Sequence, residues 1–247
     1  MSAAGADISI VLVEPQSPGN IGMVCRAMKN MGFARLRLVK GCDRFHPESL
    51  KFAVAAKDLL EQAEIFPDLA SALADCALTV GTTRRHGKYR QEILSPPEVA
   101  TRLRGQAGPD CRAAIVFGRE DSGLTTDELS LCRWHATIPT AETYGSLNLA
   151  QSVLLFCYEL GKAGAPPGGG RAMELAASAE MESLFGQMGA CLMKIGFLNE
   201  QNPEHIMRSL RRIFYRAELD SREVAILRGM LTQIDWAAAG FDGRKRP

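Results

Sequence analysis

Residues 8–22 read Ile8-Ser-Ile-Val-Leu-Val13-Glu14-Pro-Gln-Ser-Pro-Gly-Asn20-Ile-Gly22, and this stretch decides the fold. Its first six residues form a short apolar run rich in β-branched side chains, the pattern of a strand covered on both faces. A loop with two prolines follows, then a helix from about residue 20 to 31. Ile21, Val24, Met28 and Met31 recur on that helix with the 3.6-residue period, and Gly32 stands past its end. Asn20 is placed to cap it. Working outward, Leu36–Val39, Ala77–Gly81 and Ala113–Phe117 repeat the strand pattern, and Ala136–Ile138 is a shorter candidate. Helical periodicity fills 48–63, 68–75, 125–132 and 148–160. Strands alternating with helices predict an α/β fold, with a mainly parallel sheet and helices on both faces.

The chain has 247 residues, enough for one such domain and a small appendage. Segment 161–173 holds five glycines and two prolines, a linker composition. The expected organisation is therefore a domain over 1–160, a linker over 161–174, a helical extension over 175–240 and a basic tail over 241–247. In the extension Met181, Leu184, Met188, Leu192 and Ile195 recur at helical spacing, and Gly196 offers a left-handed cap. Asn202-Pro203 reads as a helix start, and Asp220 with Glu223 reads as a capping box.

Composition excludes several classes. No apolar run approaches the ~20 residues that cross a bilayer. The first ten residues show no leader pattern, so a cytoplasmic protein is expected. Seven scattered cysteines without a CxxC pair argue against a disulfide framework or a structural zinc site. The histidines are dispersed, and no metal is expected. Net charge is +1, so any case for nucleic acid must rest on local clusters of cations. There is no GxGxxG after the first strand, no P-loop, no HExxH and no GxSxG.

In open α/β sheets, ligands bind beyond the carboxyl ends of the strands. Four loops qualify: Glu14–Gly22, Thr82-Thr83-Arg84-Arg85, Gly118–Leu124, and Pro139–Asn148. Arg26 lies off the apolar stripe of the first helix, on a face shared with Gly22 and Lys29. A cation near a helix N-terminus gains nothing from the macrodipole, so a polar or anionic partner and a plain solvated arginine both remain open. Glu120 suits either a ligand bond or closure of its own loop by accepting backbone N–H groups. Ser146 or Asn148 caps the helix that follows them.

Taken together, the loops resemble the three motifs of SPOUT RNA 2′-O-methyltransferases. Pro18–Phe33 (PGNIGMVCRAMKNMGF) matches the first, Ile115–Thr125 (IVFGREDSGLT) the second and Ile138–Val153 (IPTAETYGSLNLAQSV) the third. Gly196–Leu231 is similar to the C-terminal extension of the TrmJ-type tRNA methyltransferases. The resemblance implies a C-terminal trefoil knot, S-adenosyl-L-methionine (SAM) held within it, and a homodimer with the active site at the subunit interface. It implies Thr82, Thr83, Arg84, Gly118, Ile138, Gly145, Ser146 and Leu147 as cofactor contacts. Glu120 and Asn148 match motif residues of the catalytic pocket, Arg26 the catalytic arginine, and Tyr144 a tyrosine near cofactor and interface. The implied reaction is ribose 2′-O-methylation of nucleotide 32 in the tRNA anticodon loop. Another RNA target, or an RNA-binding factor without catalysis, are the competing readings.

Candidate RNA contacts are Asn20 and Lys29 in the first motif, and Arg208, Arg211, Arg212 and Arg216 in the extension. The four arginines fall at i, i+3, i+4 and i+8 on one helix face, with Ile206, Leu210, Ile213 and Phe214 expected opposite. Such a stripe suits phosphates along a folded RNA.

Overall fold

A computed structural model describes residues 7–84, 93–106, 111–141, 145–162 and 174–240. Two compact units result, Met1–Met173 and Glu174–Pro247. Tyr144, most of the linker and the basic tail lie outside the described residues.

The first unit is built on a seven-stranded sheet in the order β3-β2-β1-β6-β4-β7-β5, with every pairing parallel. The strands are β1 (Asp7–Val13), β2 (Arg35–Val39), β3 (Glu64–Phe66), β4 (Leu78–Thr82), β5 (Ile93–Leu94), β6 (Arg112–Phe117) and β7 (Trp134–Ala136). β1 is central, with Ile10 in register with both Leu36 of β2 and Ile115 of β6. Ile10 through Val13 are buried, which is why the run is apolar at every position rather than at alternate ones. Val11, Val13, Ala114 and Val116 share one face with Leu69, Ala72, Leu73 and Cys132. On the other face Phe117 meets Phe156 edge-on, with centroids 5.5 Å apart.

The helices of this unit are α1 (Pro18–Asn30), α2 (Pro47–Ala53), α3 (Lys57–Gln62), α4 (Leu69–Leu73), α5 (Pro96–Gln106), α6 (Thr126–Ser130) and α7 (Leu149–Lys162). The helix expected over 48–63 is broken. Val54 takes φ 51°, and a 3₁₀ turn at Val54–Ala56 separates α2 from α3. The break lets α2 close on α1 at Gly22, where a Cβ would stand 2.2 Å from the Ser49 carbonyl oxygen. Gly22 thus makes room for the backbone of α2. β7 ends at Ala136 instead of running from Ala136 to Ile138. β3, β5 and α5 were not expected from the pattern. The first two are edge strands of three and two residues, too short to show a period.

β2 carries a buried charge. Arg37 is 2% exposed, donates to the Ala72 carbonyl (2.7 Å), and grips both carboxylate oxygens of Asp75 at 2.6 and 2.8 Å. Its guanidinium also stacks on Phe66. The pair ties the end of α4 to the sheet.

The second unit contains α8 (Ser178–Lys194), α9 (Pro203–Arg216) and α10 (Ser221–Ala237) around Met181, Leu184, Phe185, Met188, Met207, Tyr215, Val224 and Leu231. Gly196 takes φ 70° after α8, and Asp220 with Glu223 forms a capping box on α10. α9 is turned about one residue from the expected orientation. Met207 and Tyr215 are buried, whereas Ile206 and Ile213 are exposed. Arg211 is consequently drawn inward, paired through both guanidinium nitrogens with Glu182 and stacked on Phe185 at 4.6 Å.

Candidate active site

Parallel pairing puts every strand's carboxyl end on one edge of the sheet, so the loops after β1, β4, β6 and β7 converge there. The chain runs from β1 to one side through β2 and β3, while β6 lies on the other side. Such a switch in direction opens a crevice beyond the strand ends. Two loops meet across it. Glu120, after β6, accepts from the Gln16 N–H at 2.9 Å, from the Ser17 N–H at 3.1 Å and from Asn20 Nδ2 at 2.8 Å. Burial pushes the Glu120 carboxyl up, but the Asn20 amide and the two backbone donors outweigh it and hold it below its ordinary value. Glu120 is therefore a carboxylate at neutral pH, with one acceptor position of roughly four left over.

The third loop joins through Asn20, whose Oδ1 accepts from Asn148 Nδ2 at 2.9 Å. Asn148 Oδ1 in turn accepts from Ala150 N–H (2.9 Å) and caps α7. Asn20 does not cap α1. That place belongs to Ser17, without a side-chain bond, and Pro18 opens the helix. Asn20 is 7% exposed and spans two loops, so it does not present its amide to a ligand in solution.

Beside this junction lies a cavity of about 370 Å³, within the range of roughly 300–1,000 Å³ usual for small-molecule sites. All eight residues singled out as cofactor contacts line it: Thr82, Thr83, Arg84, Gly118, Ile138, Gly145, Ser146 and Leu147. Glu120 lines it too, and Phe117, Thr140, Ser152 and Phe156 are among the further lining residues that sequence reasoning missed. Ser152 and Phe156 fall one and two turns into α7, where their spacing reads as ordinary helix. Gly118 is required by the wall itself, since a Cβ there would stand 2.1 Å from the Gly123 carbonyl carbon. A Cβ on Gly145 would stand 2.8 Å from Thr140 Oγ1.

Arg26 is not among the lining residues. It is exposed on α1 and has no hydrogen bond or ion pair with any described residue. Lys29, one turn on, is held by Asp58 at 2.7 Å and by the Ala55 carbonyl at 2.8 Å. No group of three or more metal-ligating side chains occurs among the described residues, and no helix there is long and apolar enough to cross a membrane.

Residues 7–158 match the SpoU rRNA Methylase family, and residues 179–243 match the C-terminal domain of the tRNA methyltransferase TrmJ. This chain belongs to the SpoU methylase family. Among its relatives is the tRNA (cytidine/uridine/adenosine-2′-O-)-methyltransferase TrmJ of Pseudomonas aeruginosa, 36% identical over 96% of this chain and 97% of that one. The tRNA (cytidine/uridine-2′-O-)-methyltransferase TrmJ of Salmonella choleraesuis is 37% identical over 93% of this chain and 96% of its own. The crystal structure of TrmJ from Z. mobilis superposes with a TM-score of 0.82, at 34% identity, covering 92% of this chain and 98% of that one. The likeness to these SpoU methylases thus embraces both the sheet and the helical unit.

Proposed function

We propose that this chain is a SAM-dependent tRNA 2′-O-methyltransferase that acts as a homodimer on the ribose of nucleotide 32 in the anticodon loop. The observation that carries the reading is the junction Glu120–Asn20–Asn148, which ties the first motif loop to the second and third, the two that line one cavity. The cavity suits SAM. Its glycines 118 and 145 leave no room for a Cβ, so backbone forms the cradle. Apolar Ile138, Leu147 and Phe117 alternate there with hydroxyls and Arg84. When bound there, SAM would supply an electrophilic methyl group for a ribose 2′-oxygen.

The chain's own part is to align the sugar, whose 2′-hydroxyl proton passes to the adjacent phosphate or to water. Alignment alone can offset roughly 7–11 kcal/mol of a barrier. Arg26, being uncompensated by any described residue of its subunit, is available for an RNA phosphate. A guanidinium is a poor base, and the role of Arg26 is to clamp the phosphate and stabilise the developing alkoxide. Glu120 already accepts from three donors, which favours a holding role over proton abstraction. Dimerisation is supported by α7, where Leu154, Leu155 and Tyr158 are exposed on one stripe that continues to Leu147 at the cavity rim. Arg26 then reaches a site completed by the partner.

The test is methylation of unmodified tRNA transcripts with SAM, followed by mapping of the methylated ribose. Modification at nucleotide 32, tried with C, U and A there, is the expected result. Methylation elsewhere, or none at all, refutes it.

A further inference from the structure

Next to Glu120 in the chain, Arg119 makes the opposite connection. Its Nε and Nη2 meet Glu14 Oε2 at 3.0 and 2.9 Å, while Nη1 and Nη2 grip the two oxygens of Glu128 at 3.1 and 3.0 Å. Nη1 also reaches the Gly123 carbonyl. Arg119 is 17% exposed, as is Glu128. Adjacent residues of one loop thus hold the other loop in two senses: Arg119 takes the carboxylate at position 14, and Glu120 takes the N–H groups at 16 and 17.

Glu14 needs holding. It has φ 46° and precedes Pro15, although residues before proline are pushed toward extended backbone and non-glycine residues avoid this region. That turn is what aims the Gln16 and Ser17 N–H groups back at Glu120. Glu128 meanwhile accepts from Thr125 N–H in the capping box of α6. One guanidinium therefore fixes the turn after β1, the start of α6 and the cavity wall between Gly118 and Gly123.

We infer that Arg119, with Glu14 and Glu128, is a positioning device for Glu120, holding the strained Glu14 turn so that its donors meet that carboxylate. The inference rests on the proposed role of Glu120 in the methyl-transfer pocket. Glu14→Gln keeps shape and removes charge, and is compared with Glu120→Gln and the double variant. Single-turnover methylation should fall about tenfold or more in Glu14→Gln, the scale of a misplaced active-site group. The double variant should be no more than about twofold slower than Glu120→Gln, because the two changes act through one group. In ligand-free protein, hydrogen exchange should quicken at the Gln16 and Ser17 amides and stay unchanged in β1 and β6. Arg119→Lys, which keeps charge but not the fork, should reproduce part of the defect. A wild-type rate in Glu14→Gln overturns the inference, as do independent, multiplying defects in the double variant or exchange that quickens throughout the sheet. If Glu120→Gln alone keeps full activity, the role of Glu120 itself falls and the inference goes with it.

Discussion

Asn20 donates from its amide nitrogen to Glu120 and accepts at its amide oxygen from Asn148, and so fastens the loop after β6 to the start of α7 through the first turn of α1. An amide side chain can donate to a carboxylate and accept from a second amide at once. Asn20→Asp should turn the donor into a second carboxylate facing Glu120. Repulsion would raise the pKa of one of the pair and open the junction. Methyl transfer should drop at least about a hundredfold, as for a misaligned site, with protein that still melts cooperatively. Steady-state methylation and thermal denaturation together check this; an active Asn20→Asp enzyme would show that the bridge is dispensable.

Gly22→Ala tests the closeness of α1 and α2. Its Cβ would lie 2.2 Å from the Ser49 oxygen and 2.9 Å from the Ala53 nitrogen, both backbone atoms that cannot rotate away. Forcing helices apart typically costs about 1–3 kcal/mol. The denaturation midpoint should fall accordingly. Because Arg26 shares this face of α1, tRNA affinity should fall with it, while Gly105→Ala, which meets nothing within 4 Å, should be silent.

The Arg37–Asp75 pair sets an acid limit on stability. Donation from Arg37 holds the Asp75 carboxyl far below its usual range, burial opposing it. A depressed carboxyl contributes stability that is complete above its unfolded value of about 3.9 and fades as pH drops toward the folded one. Asp75→Asn should cost about 2 kcal/mol at pH 7, less than the 3–5 typical of fully buried pairs because Asp75 is one-third exposed. Below about pH 4 the difference should shrink. Urea titrations of both proteins at pH 7 and pH 3 measure it; an equal gap at both would show that the carboxylate charge is not what matters.

Much of this was legible in the sequence because the physics is local. The run at Ile10–Val13 is apolar throughout, and a parallel sheet covered on both faces asks for that. The Thr125–Glu128 and Asp220–Glu223 boxes are visible as spacing because both partners lie within one turn. What escaped depends on distance along the chain. Asn20 reads as a cap, since nothing nearby reveals Glu120 100 residues on. Glu14 and Arg119 are just as far apart, and Glu14's turn carries no glycine to announce it. The orientation of α9 was misread for another reason. Arg211 looks like a surface cation, yet its stem and guanidinium cover Phe185 while Glu182 neutralises it.

That last point separates the α9 arginines into two predictions. Arg216 is exposed and Arg212 partly so, and both face outward from the core of the second unit. Arg212→Glu with Arg216→Glu should leave SAM affinity as in wild type, and weaken tRNA binding with a smaller salt dependence, since fewer counterions are released. Arg211→Ala should do the reverse. Losing a partly buried partner leaves Glu182 uncompensated and uncovers Phe185, so the second unit should be destabilised by about 1–3 kcal/mol. Its tRNA affinity under folded conditions should change less than twofold or so, in the range of a contact never made. Filter binding across a salt series, paired with denaturation of each variant, tells the two apart. Equal tRNA binding by wild type and by the variant carrying both Arg212→Glu and Arg216→Glu would remove α9 from the RNA-binding surface.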